Sequence, residues 1–127
     1  MEFTFNGISS RVYNLKVKKS NHLSIPKKKL EFIEVDGRTD NLIIDDETRE
    51  MLDIQIECFI DCRDADTRSY SIGLDNWLNG HTGYKELIFD DGTVLKAIFV
   101  GQIDFDYILK NFNEILLQFK AYRESDL

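Results

Sequence analysis

The sequence predicts a mainly β, α+β chain in which antiparallel, β-sandwich-like sheets carry one α-helix, at about Asp64–Leu78, packed on the sheet. Three observations predict it. Between Met51 and Cys62, Leu52, Ile54, Ile56, Cys58 and Ile60 alternate with Asp53, Gln55, Glu57 and Asp61, the period of two that marks a half-buried strand. Asn6-Gly7, Asp36-Gly37 and Asp91-Gly92 pair a residue tolerant of positive φ with a glycine, the chemistry that turns a chain at once. Tyr70, Leu74, Trp77 and Leu78 stand at i, i+4, i+7 and i+8, so a single helical face carries all four.

The elements follow in order. Met1 to Phe5 alternates, with Phe3 and Phe5 on one side, and Asn6-Gly7 then turns the chain. Tyr13, Leu15 and Val17 alternate with Asn14, Lys16 and Lys18, which predicts a second strand. Ser20–Lys29 holds the only proline, Pro26, and reads as a loop joining two strands. Leu30 to Val35 alternates poorly, which predicts a strand contacted on both faces, and Asp45-Asp46-Glu47 reads as a polar loop. The helix has Asp64 as N-cap and Asn79-Gly80 as its stop, while Gly73 costs its middle about 1 kcal/mol relative to alanine and predicts a weakened or bent turn. Three strands close the chain: Tyr84–Phe89, Val94–Phe105 and Phe112–Tyr122. The middle one is apolar on much of both faces, which predicts a central position in its sheet.

The 127 residues match one domain, 1–127, with one core and no second domain. Hydrophobic residues make up 43% and charged residues 31%, too apolar for a disordered chain, and the apolar runs of three or four residues are far too short to span a membrane as a helix. Lys plus Arg total 16 against 23 for Asp plus Glu, and the net charge of −7 argues against a partner whose phosphates must be neutralised. Specific nucleic-acid binding is therefore not expected. The basic run Lys27-Lys28-Lys29 reads as a solvated turn leading into a strand. The N-terminus shows neither the basic start nor the apolar run of a secretory leader, and an intracellular folding environment is expected.

Residues for catalysis are scarce. His22 and His81 lie beside turn-forming neighbours, outside any metal-ligand spacing, and are expected on the surface. Cys58 and Cys62 fall on one strand and its end, roughly 13 Å apart, too far to bridge or to share a zinc. Asp45-Asp46 and Asp90-Asp91 read as turn residues, and Asp104 and Asp106 as the solvated end of a strand. No phosphate-cradling glycine loop, nucleophile elbow or Cys-x-x-Cys pair occurs. The expectation is a chain that is no enzyme, with no catalytic residue, no metal ligand and no cofactor. The alternative is a small-ligand or carbohydrate-binding β-sandwich, which needs exposed aromatic side chains along a groove; a third, a metal-dependent hydrolase on Asp104, Asp106 and a histidine, requires a bound metal.

Read in order, FTFNGISS at Phe3–Ser10, Tyr13-x-Leu15-x-Val17, IEVDGR at Ile33–Arg38, NWLNG at Asn76–Gly80, LIFDDG at Leu87–Gly92, LKAIFVGQIDF at Leu95–Phe105 and LLQFKAY at Leu116–Tyr122 resemble the N-terminal domain of the distal tail protein family of phages with long non-contractile tails. Their order carries the resemblance, which runs from Met1 to about Tyr122. The chain departs from the family at Gly37-Arg38-Thr39-Asp40, which lacks the second glycine. The resemblance implies a β-sandwich-like domain with one helix, a homohexameric ring at the virion tail tip, and synthesis in the bacterial host cytoplasm. It implies as partners the tail-tube protein, the tape-measure protein and the tail-tip or receptor-binding proteins, with DNA passing through the lumen and no membrane contact. Many members continue into a second, carbohydrate-module-like domain.

Overall fold

The computed structural model describes residues 1–63, 67–109 and 112–124, with the backbone alone described for 106–109 and 112. Its strands are β1 (Phe3–Phe5), β2 (Ile8–Ser9), β3 (Leu15–Ser20), β4 (Lys28–Ile33), β5 (Leu42–Arg49), β6 (Leu52–Asp61), β7 (Lys85–Phe89), β8 (Val94–Val100), β9 (Asp106–Leu109) and β10 (Phe112–Tyr122), and its helix is α1 (Thr67–Asn79). All described strand pairs are antiparallel. The mainly β, α+β class read from the sequence is the class observed.

One sheet runs β2-β1-β7-β8-β10-β6-β3, with β9 beside β10, and a separate two-stranded ribbon pairs β4 with β5. The strict alternation of β6 places Leu52, Ile54, Ile56, Cys58 and Ile60 inward. β10 lies opposite in register, with Ala121, Phe119, Leu117 and Ile115 against Leu52, Ile54, Ile56 and Cys58, and those four are buried as well. The first strand owes its place to the turn that follows it: Asn6 (φ 53°) and Gly7 (φ 79°) reverse the chain into β2, and β1 then pairs Phe3 with Phe89 and Phe5 with Leu87 on β7. Phe3, Phe5, Phe89 and Phe119 meet in the core, so the sheet curls over a single apolar interior.

The helix closes that interior. Leu74, Trp77 and Leu78 are buried and Tyr70 packs against the core, as the spacing of the four predicts. Trp77 stacks on Phe3 (centroids 5.8 Å apart) and on Tyr13 (4.9 Å), and its Nε1 donates to the Phe5 carbonyl at 2.9 Å. Gly73 belongs here for a packing reason. A Cβ at this position would stand 2.9 Å from the Tyr13 ring, so the glycine admits the ring that covers Trp77. The cap assigned to Asp64 lies outside the described residues.

Several strand boundaries differ from the expected ones: β4 begins at Lys28, so Lys28 and Lys29 belong to the strand and not to the loop or turn, and it ends at Ile33, short of Val35. Tyr13 belongs to a 3-10 turn, Ser10–Tyr13, ended by Asn14 in the left-handed region (φ 55°), and β3 begins only at Leu15. The apolar parity of Tyr13 is satisfied against the helix instead of within the sheet. β8 is central, between β7 and β10, but ends at Val100 because Gly101 takes φ 90° and turns the chain away. Asp104 thus lies on a loop, where its Oδ1 accepts a hydrogen bond from Gln102 Nε2 at 2.9 Å, and Asp106 opens β9.

Cys58 and Cys62 are both buried, unbridged thiols, and burial pushes the Cys58 thiol up to about 12. The mass of the native protein should therefore be the same with and without reductant. A thiol reagent should reach both groups only after denaturant is added, and a native mass lower by two hydrogens would show that the segment is not extended.

Candidate assembly surface

The ribbon of β4 and β5 stands outside the core. Its register pairs Leu30 with Asp45, Glu31 with Ile44, Phe32 with Ile43 and Ile33 with Leu42. Side chains alternate between faces, so Leu30, Phe32 and Ile43 share one face and Ile33, Leu42 and Ile44 the other. All six are exposed, Phe32 at 58% and Ile43 at 57%. The poor alternation of Leu30–Val35 predicts contact on both faces, and among the described residues both faces stay exposed. Isolated two-stranded hairpins are marginal in water, and each face of this one exposes three large apolar side chains.

Asp45-Asp46-Glu47, expected as a loop, forms part of β5. The reading fails because the polar run is an irregularity within a strand. The register shifts between Lys28 and Leu30, Glu47 sits at φ 62°, and Asp45 and Asp46 each accept the N–H two residues on, from Glu47 at 2.9 Å and Thr48 at 3.1 Å. Hydrogen bonds from the Thr48 hydroxyl and then its N–H hold the Asp46 carboxyl below its usual range. A kinked edge carrying three acids resists strand addition. The outer edge of β4 carries no such kink and stays unpaired among the described strands, together with the two faces of the ribbon.

The root of the ribbon is held firmly. Arg49 Nη1 donates to the carbonyl of buried Pro26 at 3.0 Å, and Glu50 N–H donates to the Lys27 carbonyl at 2.7 Å. Lys27, Lys28 and Lys29 are exposed, and Lys28 Nζ reaches Asp45 at 3.4 Å.

Just before the root lies a residue that the sequence places wrongly. His22, expected on the surface, is buried at 4% exposure and stacks on Phe89 with centroids 3.9 Å apart. Its Nδ1 lies 2.8 Å from Ser20 Oγ and its Nε2 lies 2.7 Å from Asp91 Oδ2. One tautomer satisfies both contacts: Nε2–H donates to the Asp91 carboxylate and Nδ1 accepts from the Ser20 hydroxyl. The Asp91 carboxyl is held at about 2, first by His22 and then by the Thr93 N–H. Serine, histidine and aspartate in hydrogen-bonded series also make up acyl-transfer triads. Here the ring is closed off against Phe89, so the series works as a clasp. It ties the exit of edge strand β3 to the β7–β8 turn, across the curl of the sheet.

His81 likewise departs from expectation. It is half-buried, packs on Phe5 at 5.3 Å, and both its ring nitrogens are enclosed without a hydrogen-bond partner among the described residues. Asp90 Oδ2 accepts the Glu2 N–H at 3.0 Å and so fastens the N-terminus to the β7–β8 turn. Among the described residues, no three His, Cys, Asp or Glu side chains stand together as a metal site. Trp77 is buried and offers no platform to a sugar ring. No described helix is long and apolar enough to cross a membrane, which says nothing of strands.

A cleft of about 340 Å³ opens between α1 and the loop that follows β8. Leu74, Phe99, Ile103 and Phe105 line it beside the polar Ser71, Asn79 and Gln102, Ile72 stands exposed at its lip, and Asp75 is the one charged side chain among the described lining residues.

No family model and no curated protein matches this chain. Among solved structures it is similar in fold to the Dit protein of phage SPP1, described as a paradigm of the hub adsorption apparatus in phages infecting Gram-positive bacteria. The TM-score is 0.74 at 13% identity, over 94% of this chain and 49% of that one. The chain thus spans about half the length of the structure it matches, and what the two share is a fold.

Proposed function

We propose that this chain is a structural, non-enzymatic subunit of a phage or prophage tail tip, forming a homohexameric ring that joins the tail tube to the proteins that find the host. The observation that carries the reading is the β4–β5 ribbon, which exposes three large apolar side chains on each face and is tied at its root by the Arg49–Pro26 hydrogen bond. The fold shared with SPP1 Dit supports it. Residues 1–127 act in this reading as one ring-building domain. The tail-tube, tape-measure and receptor-binding proteins are its neighbours, at the tail tip of the virion and after synthesis in the host cytoplasm. A ring needs a heterologous contact, one surface of each copy fitting a different surface of the next. A projecting ribbon supplies the first of these surfaces.

Light scattering across a wide range of protein concentration tests the reading. The expected result is a direct passage from monomer to hexamer with intermediate sizes scarce, since closure satisfies every interface at once. A strict monomer at the highest concentration in physiological salt, or a closed two-fold dimer with its self-complementary interface, refutes intrinsic ring formation.

A further inference from the structure

We infer that the cleft between α1 and the loop that follows β8 is a binding site for one neutral sugar ring, a function that goes beyond ring building and does not depend on it. Two walls of different origin meet there. Ser71, Asp75 and Asn79 stand at i, i+4 and i+8, so a single row along α1 carries all three, and all three are exposed. The other wall is the loop that Gly101 starts at φ 90°, with exposed Gln102 on it. Ile103 and Phe105, both half-buried, give the cleft an apolar floor that water still reaches.

Hydrogen bonds already made within the walls decide what the cleft can still bind. Asn79 Nδ2 donates to Asp75 Oδ1 at 3.0 Å, and Gln102 Nε2 donates to Asp104 Oδ1 at 2.9 Å. A carboxylate only accepts, so each amide is fixed with its nitrogen toward the acid and its carbonyl oxygen turned free. Asp75 Oδ2, Asn79 Oδ1 and Gln102 Oε1 are thus acceptors in want of donors, while the Ser71 hydroxyl serves in either role. Such an array calls for a ligand rich in donors, and the Asp75 carboxylate repels anions. The hydroxyls of a pyranose supply the donors, and its C–H face suits the half-buried ring of Phe105. A lone ammonium would answer Asp75 but not the apolar floor. The cleft's volume of about 340 Å³ accommodates one such ring.

NMR of the isotope-labelled full chain, titrated in turn with glucose, galactose, mannose, N-acetylglucosamine and ethanolamine, tests the site. The expected result is a saturable set of backbone amide shifts confined to residues 71–79 and 101–105 with at least one of the sugars and none with ethanolamine. Asp75→Ala and Gln102→Ala, both at exposed positions, should each weaken that binding about tenfold while the melting temperature stays that of the parent. Shifts with ethanolamine alone would reveal a cation site and overturn the sugar assignment. No shifts with any of the sugars up to their solubility, shifts centred elsewhere in the chain, or binding that both variants leave unchanged overturn it as well. The light-scattering result is untouched by each of these outcomes, so the ring reading stands or falls separately from this site.

Discussion

Replacing Trp77 with alanine is expected to remove about 3–5 kcal/mol of stability, the range for large-to-small changes of buried aromatic residues. The side chain is 3% exposed, lies between the rings of Phe3 and Tyr13, and meets Phe5 edge-on with centroids 6.4 Å apart. Truncation opens a cavity bounded by β1, the 3-10 turn and α1. Those neighbours cannot collapse into it, because Phe3 and Phe5 are pinned by pairing with β7 and Tyr13 by its contact with Gly73. The change also strips the Phe5 carbonyl of its indole donor. Trp77→Phe separates the two contributions: it keeps an aromatic ring but removes the indole donor to the Phe5 carbonyl, at a cost of about 0.5–1.5 kcal/mol. Chemical denaturation of the three proteins measures both. A thermal midpoint for Trp77→Ala within a degree or two of the parent refutes this packing of the helix.

The second large effect is expected at His22. His22→Ala should destabilise the fold by about 2–4 kcal/mol, since it empties the buried space over Phe89, and it removes the main partner of the exposed Asp91 carboxylate. The clasp also has a pH signature. The Asp91 carboxyl sits at about 2 in the folded chain, below its usual 3.8, so the unfolded chain binds its proton more readily. Its contribution is therefore complete above about pH 4 and is lost as the pH falls through about 2. Melting temperatures followed from pH 5 downward should fall less steeply in His22→Ala and Asp91→Asn than in the parent. A parent curve parallel to both variants would show that the pair does not stabilise the fold. Because the clasp stands at the root of the ribbon, His22→Ala should also weaken assembly under conditions where the chain remains folded.

Local periodicity accounts for what the sequence alone determined. The inward row of β6, the turns at Asn6-Gly7 and Asp91-Gly92, the central place of β8 and the buried face of α1 each depend on which side of one element meets apolar surroundings, and neighbouring residues record that. Tertiary structure decided the rest. His22 meets an aspartate that lies 69 residues along the chain, and nothing near either residue announces the other, so a histidine beside turn-forming residues reads as surface until the sheet curls. Tyr13 keeps the parity of a strand but finds its apolar partner in Trp77 through the space Gly73 leaves. The run Asp45-Asp46-Glu47 reads as a loop, although side-chain hydrogen bonds and one left-handed residue hold it as a kink within a strand. Most telling is the ribbon. The poor alternation of Leu30–Val35 predicts contact on both faces, whereas among the described residues both faces of the ribbon stay exposed, because a pattern of apolar residues records a tendency to burial without recording what covers it.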